Sequence, residues 1–194
     1  MKKLIYTLLL LPFILFAAAS CEPFENGYGL DNPEQYSKVY IAASFNGLKE
    51  LEVAAPKEDT IEVYANYGGV VPLANDLTVN VAADLSLVSS YNTANKTSFK
   101  VMPTATFELN PSNAIIKAGT STSEIPALIR LKTIAFTDDA TYLLPIKISS
   151  LSDPTIQINS NLSVLYMAIR CTASAMYVSF DPLKDFVVDA NEKW

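Results

Sequence analysis

Histidine is absent from the sequence, and several other residues of versatile chemistry are scarce: there are two cysteines, one tryptophan and six glycines. Histidine is the usual general base near neutral pH, the commonest metal ligand, and a partner of serine and cysteine nucleophiles. The lack of histidine therefore argues against these classes of enzyme and against a histidine-based metal centre.

Basic residues are also in the minority, with 14 lysines and arginines against 20 acidic residues and a formal net charge of −6. No cluster of lysine or arginine follows residue 20. An acidic surface repels phosphate backbones. We therefore expect no nucleic-acid partner.

Adjacent acidic residues occur at Glu58–Asp59 and Asp138–Asp139. Two carboxylates can hydrolyse a glycosidic bond, and carboxylate oxygens suit calcium. Both pairs lie in polar segments typical of turns, and the spacing of a calcium loop is missing. The sequence thus predicts no enzyme activity, no cofactor and no metal site.

The beginning of the chain has the three-part pattern of a secretory signal. A basic start is followed by an apolar run over 4–16 and by small residues over 17–20. A membrane-spanning anchor is the alternative, but a span needs about 20 apolar residues and this run is shorter and contains Pro12. We predict a signal peptide over residues 1–20.

The residues from Ala18 to Cys21 resemble the bacterial lipoprotein box, in which small residues precede a cysteine that becomes the acylated N-terminus. Ala18 stands where that box usually has leucine. A disulfide between Cys21 and Cys171 is the alternative, since paired cysteines are typical of exported proteins. We predict Cys21 as the lipid attachment site, with Cys171 as a small buried apolar residue.

Acidic residues lie close behind this cysteine, at Glu22 and Glu25. They resemble the signal that sends lipoproteins of Bacteroidetes to the cell surface, and a solvated linker is the alternative explanation. We expect an outer-membrane protein that acylation anchors and that is exposed at the cell surface.

The mature chain divides into three segments by composition. Residues 21–36 lack hydrophobic periodicity and are interrupted by proline, glycine and asparagine, which is typical of a tether. Residues 37–171 contain one strand pattern after another. Short alternating strands with frequent turns indicate a β-sandwich. Residues 172–194 form a C-terminal tail that we interpret as a possible added strand.

Four details of the strand pattern make specific predictions. Alternation over residues 37–45 predicts a first strand with Phe45 on its inner face, and Asn46–Gly47 after it predicts a hairpin turn. In the segment that follows, Ile61, Val63, Ala65 and Tyr67 are predicted to share one face. Pro126 and Pro145 fall within strand patterns, so each is expected at an edge or a bulge.

One segment, residues 84–92, lacks the period of two. Asp84 suits the cap of a short helix, Leu85 and Val88 would face inward, and Asn92 would end it. The sequence therefore predicts one short helix near residues 84–91 within an all-β domain.

Several segments, in this order and spacing, resemble a lipoprotein domain of Bacteroidetes, the domain-of-unknown-function family 1735. The similarity covers residues 38–170. The residues that carry it are Asp84 with Tyr91-Asn92, Met102-Pro103, Lys117-Ala118-Gly119, and Tyr142-Leu143-Leu144-Pro145.

This resemblance implies an immunoglobulin-like antiparallel β-sandwich on the surface of a bacterium. Members often form the N-terminal domain of larger glycan-binding or glycoside hydrolase lipoproteins of polysaccharide utilization. Since only residues 172–194 follow the last family-like strand, we expect no such effector domain in this sequence.

Tyrosine is the aromatic residue that we expect at a ligand-binding surface, because the chain has ten tyrosines and only one tryptophan. Sugar recognition uses flat aromatic faces beside hydrogen-bonding groups. We select Tyr64, Tyr67 and Tyr91 as candidate ligand-binding residues, with Tyr36 and Tyr40 also expected near the surface. Tyr64 and Tyr67 point to opposite faces of a strand, so at most one of them is displayed.

Two functions follow from these observations. The first is an accessory module for carbohydrate binding in the capture of extracellular polysaccharide. The alternative is a structural or adhesion protein, such as a fimbria-like assembly subunit, whose tail over residues 172–194 contacts other outer-membrane proteins.

Overall fold

The computed structural model describes residues 33–55, 58–133, 136 and 140–173. Within them the chain forms twelve strands, the helix α1 (Leu87–Asn95) and 3-10 helices at Pro33–Tyr36, Ala42–Asn46, Thr104–Thr106 and Ser160–Leu162. The strands are β1 (Lys38–Tyr40), β2 (Leu48–Ala55), β3 (Asp59–Val63), β4 (Asn66–Gly68), β5 (Leu77–Ala83), β6 (Lys100–Val101), β7 (Phe107–Leu109), β8 (Asn113–Ile116), β9 (Ala127–Leu131), β10 (Thr141–Leu151), β11 (Gln157–Ile158) and β12 (Val164–Ala173).

The strands of this described part form three sheets. The largest has the order β2-β12-β10-β5-β8, with β6 also paired to β10. A second sheet has the order β3-β9-β7, and a small third sheet has the order β11-β1-β4. One hydrophobic core is shared by side chains of all three sheets. The predicted all-β sandwich is confirmed.

Alternation along the strands decides which side chains reach this core. Ile61, Val63, Ala65 and Tyr67 are all buried, as predicted, although the chain divides them between β3, β4 and the link between the two strands. In β12 the same period of two buries Leu165, Met167, Ile169 and Cys171. The residues between these four face the other side of the sheet.

Two of the three described sheets are mixed, whereas the resemblance implied antiparallel pairing throughout. β2 runs parallel to β12 over Leu48–Ala55, β1 runs parallel to β11, and β6 runs parallel to β10. The remaining pairs between the named strands are antiparallel. Parallel partners require long crossovers, which a reading of local hairpin signals does not detect.

The hairpin predicted at Asn46–Gly47 is wrong. Residues Ala42–Asn46 form a 3-10 helix that ends at Gly47, whose φ of 77° requires glycine-like freedom. β1 and β2 then belong to different sheets. Because β1 ends at Tyr40, Phe45 is not an inner strand residue, and 79% of it is exposed.

The predicted helix exists, but it lies later in the chain. α1 begins at Leu87 and ends at Asn95, and its N-cap is Ser86. Asp84 does not cap it, because it lies two residues before the N-cap, and its carboxylate accepts a hydrogen bond from the Ser86 hydroxyl at 2.6 Å. Val88 is buried as predicted, and Leu85 is half-buried against the core.

Pro145 was expected at an edge or a bulge, but it lies in the middle of the central strand β10, and the register shift of this strand falls later, between Ile148 and Ser150. On one side of β10, pairing with β6 ends at Leu143 and pairing with β5 begins at Ile146. The Asp84 amide donates to the Pro145 carbonyl on this side, at 3.0 Å. The proline nitrogen faces the gap between the two pairings, where no ladder donor is needed. Pro126 lies just before β9 and outside it.

Several sequence predictions fall outside the described residues: the signal peptide over residues 1–20, lipid attachment at Cys21, and the acidic pair Asp138–Asp139. The same holds for residues 174–194 of the tail, while β12 continues to Ala173. Residues Pro33–Tyr36, assigned to the tether, form a 3-10 helix. None of the helices in the described part of the chain is long and apolar enough to cross a membrane.

We predict that Ile146→Ala lowers the free energy of unfolding by about 2–5 kcal/mol, because Ile146 is fully buried in the central strand. Urea denaturation measures this. The matched control is Lys147→Ala on the outward face of the same strand, with an expected change below about 0.5 kcal/mol. Equal effects of the two substitutions would contradict the assigned faces of β10.

Candidate functional site

A groove of about 440 Å³ lies between α1, the beginning of β12 and the 3-10 helix Ala42–Asn46. Its walls include two tyrosines together with hydroxyl and amide side chains, and no described residue that lines it is charged. The residues that the argument uses are Ser44, Ser90, Tyr91, Asn95, Asn161 and Tyr166.

The aromatic part of the groove is a pair of tyrosine rings. The ring centroids of Tyr91 and Tyr166 lie 4.5 Å apart, with an angle of 37° between the ring planes. Phe99 extends the pair, since its ring centroid lies 6.2 Å from that of Tyr91. These contacts form a cluster of three half-buried aromatic rings on the outer side of the largest sheet.

Packing of α1 on this outer side places Tyr91. Val88, Leu143 and Ala168 are each at most 3% exposed, yet they do not belong to the main core. Val88 comes from the helix, whereas Leu143 and Ala168 come from β10 and β12. They form a second, smaller apolar layer that covers the sheet, and α1 contacts β10 there.

Asn92 fixes the chain just after the helix. Its side-chain amide nitrogen donates to the carbonyl of Phe99 at 2.9 Å. Its side-chain oxygen accepts from the Thr97 hydroxyl at 2.8 Å and from the Phe99 amide at 3.1 Å. The helix continues past Asn92 and ends before Lys96, which has φ of 55°. The prediction that Asn92 ends the helix is therefore wrong. Its side chain instead bonds the backbone of Phe99 to the helical turn that contains Tyr91.

Internal hydrogen bonds already use some polar groups of the groove. The Ser44 hydroxyl donates to the Ile41 carbonyl at 2.6 Å, and the Asn95 amide nitrogen donates to the Tyr91 carbonyl at 2.9 Å. The side chain of Asn161 has no hydrogen-bond partner among the described residues, and the same holds for both tyrosine hydroxyls. Donors and acceptors are therefore left for a ligand.

Of the three tyrosines selected from the sequence, only Tyr91 lies in this groove. Tyr67 is buried, and its hydroxyl donates to the Val71 carbonyl at 2.8 Å and is hydrogen-bonded to the Ser37 hydroxyl at 2.9 Å. Tyr64 is 41% exposed and donates to the Glu62 carboxylate at 2.7 Å. The prediction that at most one of this pair is displayed is confirmed.

The sequence interpretation did not include Tyr166 and Asn161, nor Phe45, which follows Ser44 beside the groove. The outward position of Tyr166 was detectable from the sequence. It lies on the same side of β12 as Arg170 and alternates with the apolar residues of that strand. Asn161 lies in a short 3-10 helix, Ser160–Leu162, that leaves no hydrophobic period to detect. Phe45 was missed because it was assigned to a strand.

Burial raises the pKa of the Tyr166 phenol above the ordinary value of 10.0, and the neighbouring Tyr91 and Asp84 add to this. Burial also raises the pKa of Tyr91, with a smaller contribution from the Glu50 carboxylate. Both phenols are therefore neutral hydrogen-bonding groups at neutral pH.

Neither a metal centre nor a reactive thiol is present in the described residues. No group of three metal-ligating residues occurs within them. Cys171 is buried as predicted, its sulfur lies 3.8 Å from the Thr133 carbonyl oxygen, and burial raises the pKa of its thiol. A raised pKa makes this thiol a poor nucleophile at neutral pH.

A family described as "-like, N-terminal domain" matches residues 33–155 of the chain. This match includes β1 to β10 and the helix, so it covers most of the described fold. No curated protein matches the chain.

Solved structures of Bacteroides proteins share the fold at 16% sequence identity. A two-domain protein of unknown function from Bacteroides fragilis has a TM-score of 0.56, over 71% of this chain and 46% of its own. A protein from Bacteroides ovatus, described provisionally as carbohydrate-binding, has a TM-score of 0.53 over 69% of this chain and 36% of its own. A multidomain protein including DUF1735, from Bacteroides ovatus, has a TM-score of 0.51 over 74% and 47%. The chain thus spans less than half of each of these relatives.

We predict that Tyr166→Phe reduces the loss of stability at alkaline pH. A phenol whose pKa is raised in the folded state stabilises the fold below the ordinary pKa of 10.0, and this contribution is lost as pH rises through the raised value. The Phe variant keeps the ring and has no proton to lose. Chemical denaturation at pH values from 9 to 12 measures the effect, and an unchanged pH dependence would contradict burial of this phenol.

Proposed function

Because the chain belongs to the N-terminal-domain family that matches residues 33–155, we propose that it is a non-catalytic accessory module that binds extracellular glycan. We place its glycan site in the groove of Tyr91 and Tyr166. We further propose that it is a member of the DUF1735 lipoproteins, held at the outer membrane by acylated Cys21 and exposed at the cell surface.

The observation that carries the proposal is the combination of an aromatic pair with uncharged polar groups in one groove. A sugar ring offers apolar C–H faces to an aromatic surface and hydroxyl groups to amides and hydroxyls. Tyr91 and Tyr166 supply the aromatic surface, and the amides of Asn95 and Asn161 supply polar groups. The Ser90 hydroxyl already donates to the Leu87 carbonyl at 2.9 Å, so it serves a ligand as an acceptor. A groove without cationic side chains offers little to a phosphate-bearing ligand.

The comparisons support a carbohydrate role in one respect. A structure with the same fold comes from a protein described provisionally as carbohydrate-binding. At 16% identity this likeness concerns the fold, so the groove itself provides the argument for binding.

A role without catalysis agrees with the chemistry of the groove. Glycoside hydrolysis ordinarily requires two carboxyl groups on either side of the scissile bond. No described residue that lines this groove has a carboxyl group. The sequence also contains no histidine to act as general acid or base.

The pattern of residues 1–21 supports the proposed location. A basic start, an apolar run and small residues lead directly to Cys21. One acyl chain gives marginal membrane binding and two or more hold a protein firmly, so an acylated Cys21 provides a sufficient anchor.

We predict that Tyr166→Ala weakens glycan binding by about tenfold or more, because it removes half of the aromatic surface. A glycan array identifies the bound sugars, and affinity electrophoresis measures the loss. Thermal unfolding of the variant verifies that it still folds.

Tyr64→Ala is the matched control, since Tyr64 is an exposed tyrosine away from the groove. Its binding is expected to equal that of the unchanged protein. If no glycan is retained by the unchanged protein, or if the two variants lose binding equally, the proposed site is wrong.

We predict that Cys21→Ala moves the protein from the membrane fraction to the soluble fraction and abolishes labelling by radioactive palmitate. Mass spectrometry of the unchanged protein is expected to show an N-terminus at Cys21 with added acyl chains. An intact Met1 or an unmodified Cys21 thiol would contradict the proposed anchor. Cys171→Ala is the control, and its labelling should be unchanged.

A further inference from the structure

A second concavity, of about 360 Å³, lies on the same outer face of the largest sheet. Its walls include Glu50 and Glu52 of β2, Ala168 and Arg170 of β12, and Phe99. Unlike the tyrosine groove, this concavity carries charged side chains of both signs.

The outward side chains of β12 line first one concavity and then the other. Val164 and Tyr166 line the tyrosine groove, and Ala168 and Arg170 line the second concavity. These residues alternate along one strand, so all four share one face. The six steps from Val164 to Arg170 span about 20 Å, so the two concavities follow one another along one face of the sheet.

A cluster of aromatic side chains lies where the two concavities adjoin. Tyr166 lines the first and Phe99 lines the second, and Tyr91 contacts both rings, at 4.5 Å and 6.2 Å. Ala168 lies at the base of the second concavity and is only 3% exposed, because the apolar layer under α1 covers it. A ligand that occupies both concavities therefore passes over the rings of Tyr91 and Phe99.

We propose that the two concavities are consecutive subsites of one groove for a linear, uncharged oligosaccharide whose chain runs along β12. This inference rests on the proposed function. The length of the surface exceeds one monosaccharide ring, and the aromatic surface at its middle suits stacking of successive sugar units. Glu50 and Glu52 outnumber the single cation Arg170 among the charged residues of the second concavity. Their carboxylates accept hydrogen bonds from sugar hydroxyls, and the excess of negative charge disfavours an acidic polysaccharide.

The test is the dependence of affinity on ligand length. Gluco-, manno- and xylo-oligosaccharides, each as the disaccharide, tetrasaccharide and hexasaccharide, are titrated by calorimetry into the full chain in detergent. We expect affinity in the bound series to rise by about tenfold or more from disaccharide to hexasaccharide, because only the longer chain reaches the second subsite.

Three variants separate the subsites. Glu52→Ala, at an exposed position of β2, is expected to remove this gain, about tenfold, and to leave disaccharide binding unchanged. Tyr166→Ala is expected to weaken every length. Glu124→Ala, an exposed carboxylate that lines neither concavity, is the control and should change nothing.

Equal affinity for all lengths, with binding that still depends on Tyr166, would overturn the two-subsite inference and leave the proposed function standing. An equal loss of disaccharide and hexasaccharide affinity in Glu52→Ala would also overturn it. Failure of every oligosaccharide to bind would contradict the proposed function itself, and with it the inference.

Discussion

The packing of one short helix on the outer face of the largest sheet determines the geometry of the candidate site. Val88 of the helix is buried together with Leu143 and Ala168 of the sheet, apart from the main core. A sandwich normally exposes the outer face of each sheet to solvent, and here an apolar layer lies on that face. Because this contact fixes the helix, Tyr91 is held against Tyr166 and a groove forms beside them.

The strand pairing of the largest sheet positions the segment that contains the helix. The central strand β10 pairs with β12 on one side and with β5 and β6 on the other. The chain leaves β5 after Ala83, forms the helix and then forms β6. Because β5 and β6 both pair with β10, the segment that contains the helix begins and ends beside the same strand. Pro145 lies at the gap between these two contacts, where the missing amide proton costs no ladder hydrogen bond.

Much of the sandwich could be predicted from the sequence, because burial on one face imposes a period of two that residues such as Leu77, Val79 and Val81 display. The pairing of strands could not, since β2 and β12 are parallel neighbours separated by most of the chain. Local turn signals were misleading at Asn46–Gly47, where the glycine ends a 3-10 helix. Register and crossover depend on contacts distant in sequence, which a pattern of nearby residues does not specify.

The candidate site was predictable only in part, since its residues come from three separate segments. Tyr91 was selected from the sequence, but Tyr166 gains its significance only when β12 is placed beneath the helix. The central claim is that this tyrosine pair contacts glycan, and NMR of ring-labelled tyrosine during glycan titration tests it most directly. The account predicts contacts from sugar protons to the rings of Tyr91 and Tyr166. Contacts confined to other tyrosines, with both of these rings unperturbed by a bound glycan, would contradict it.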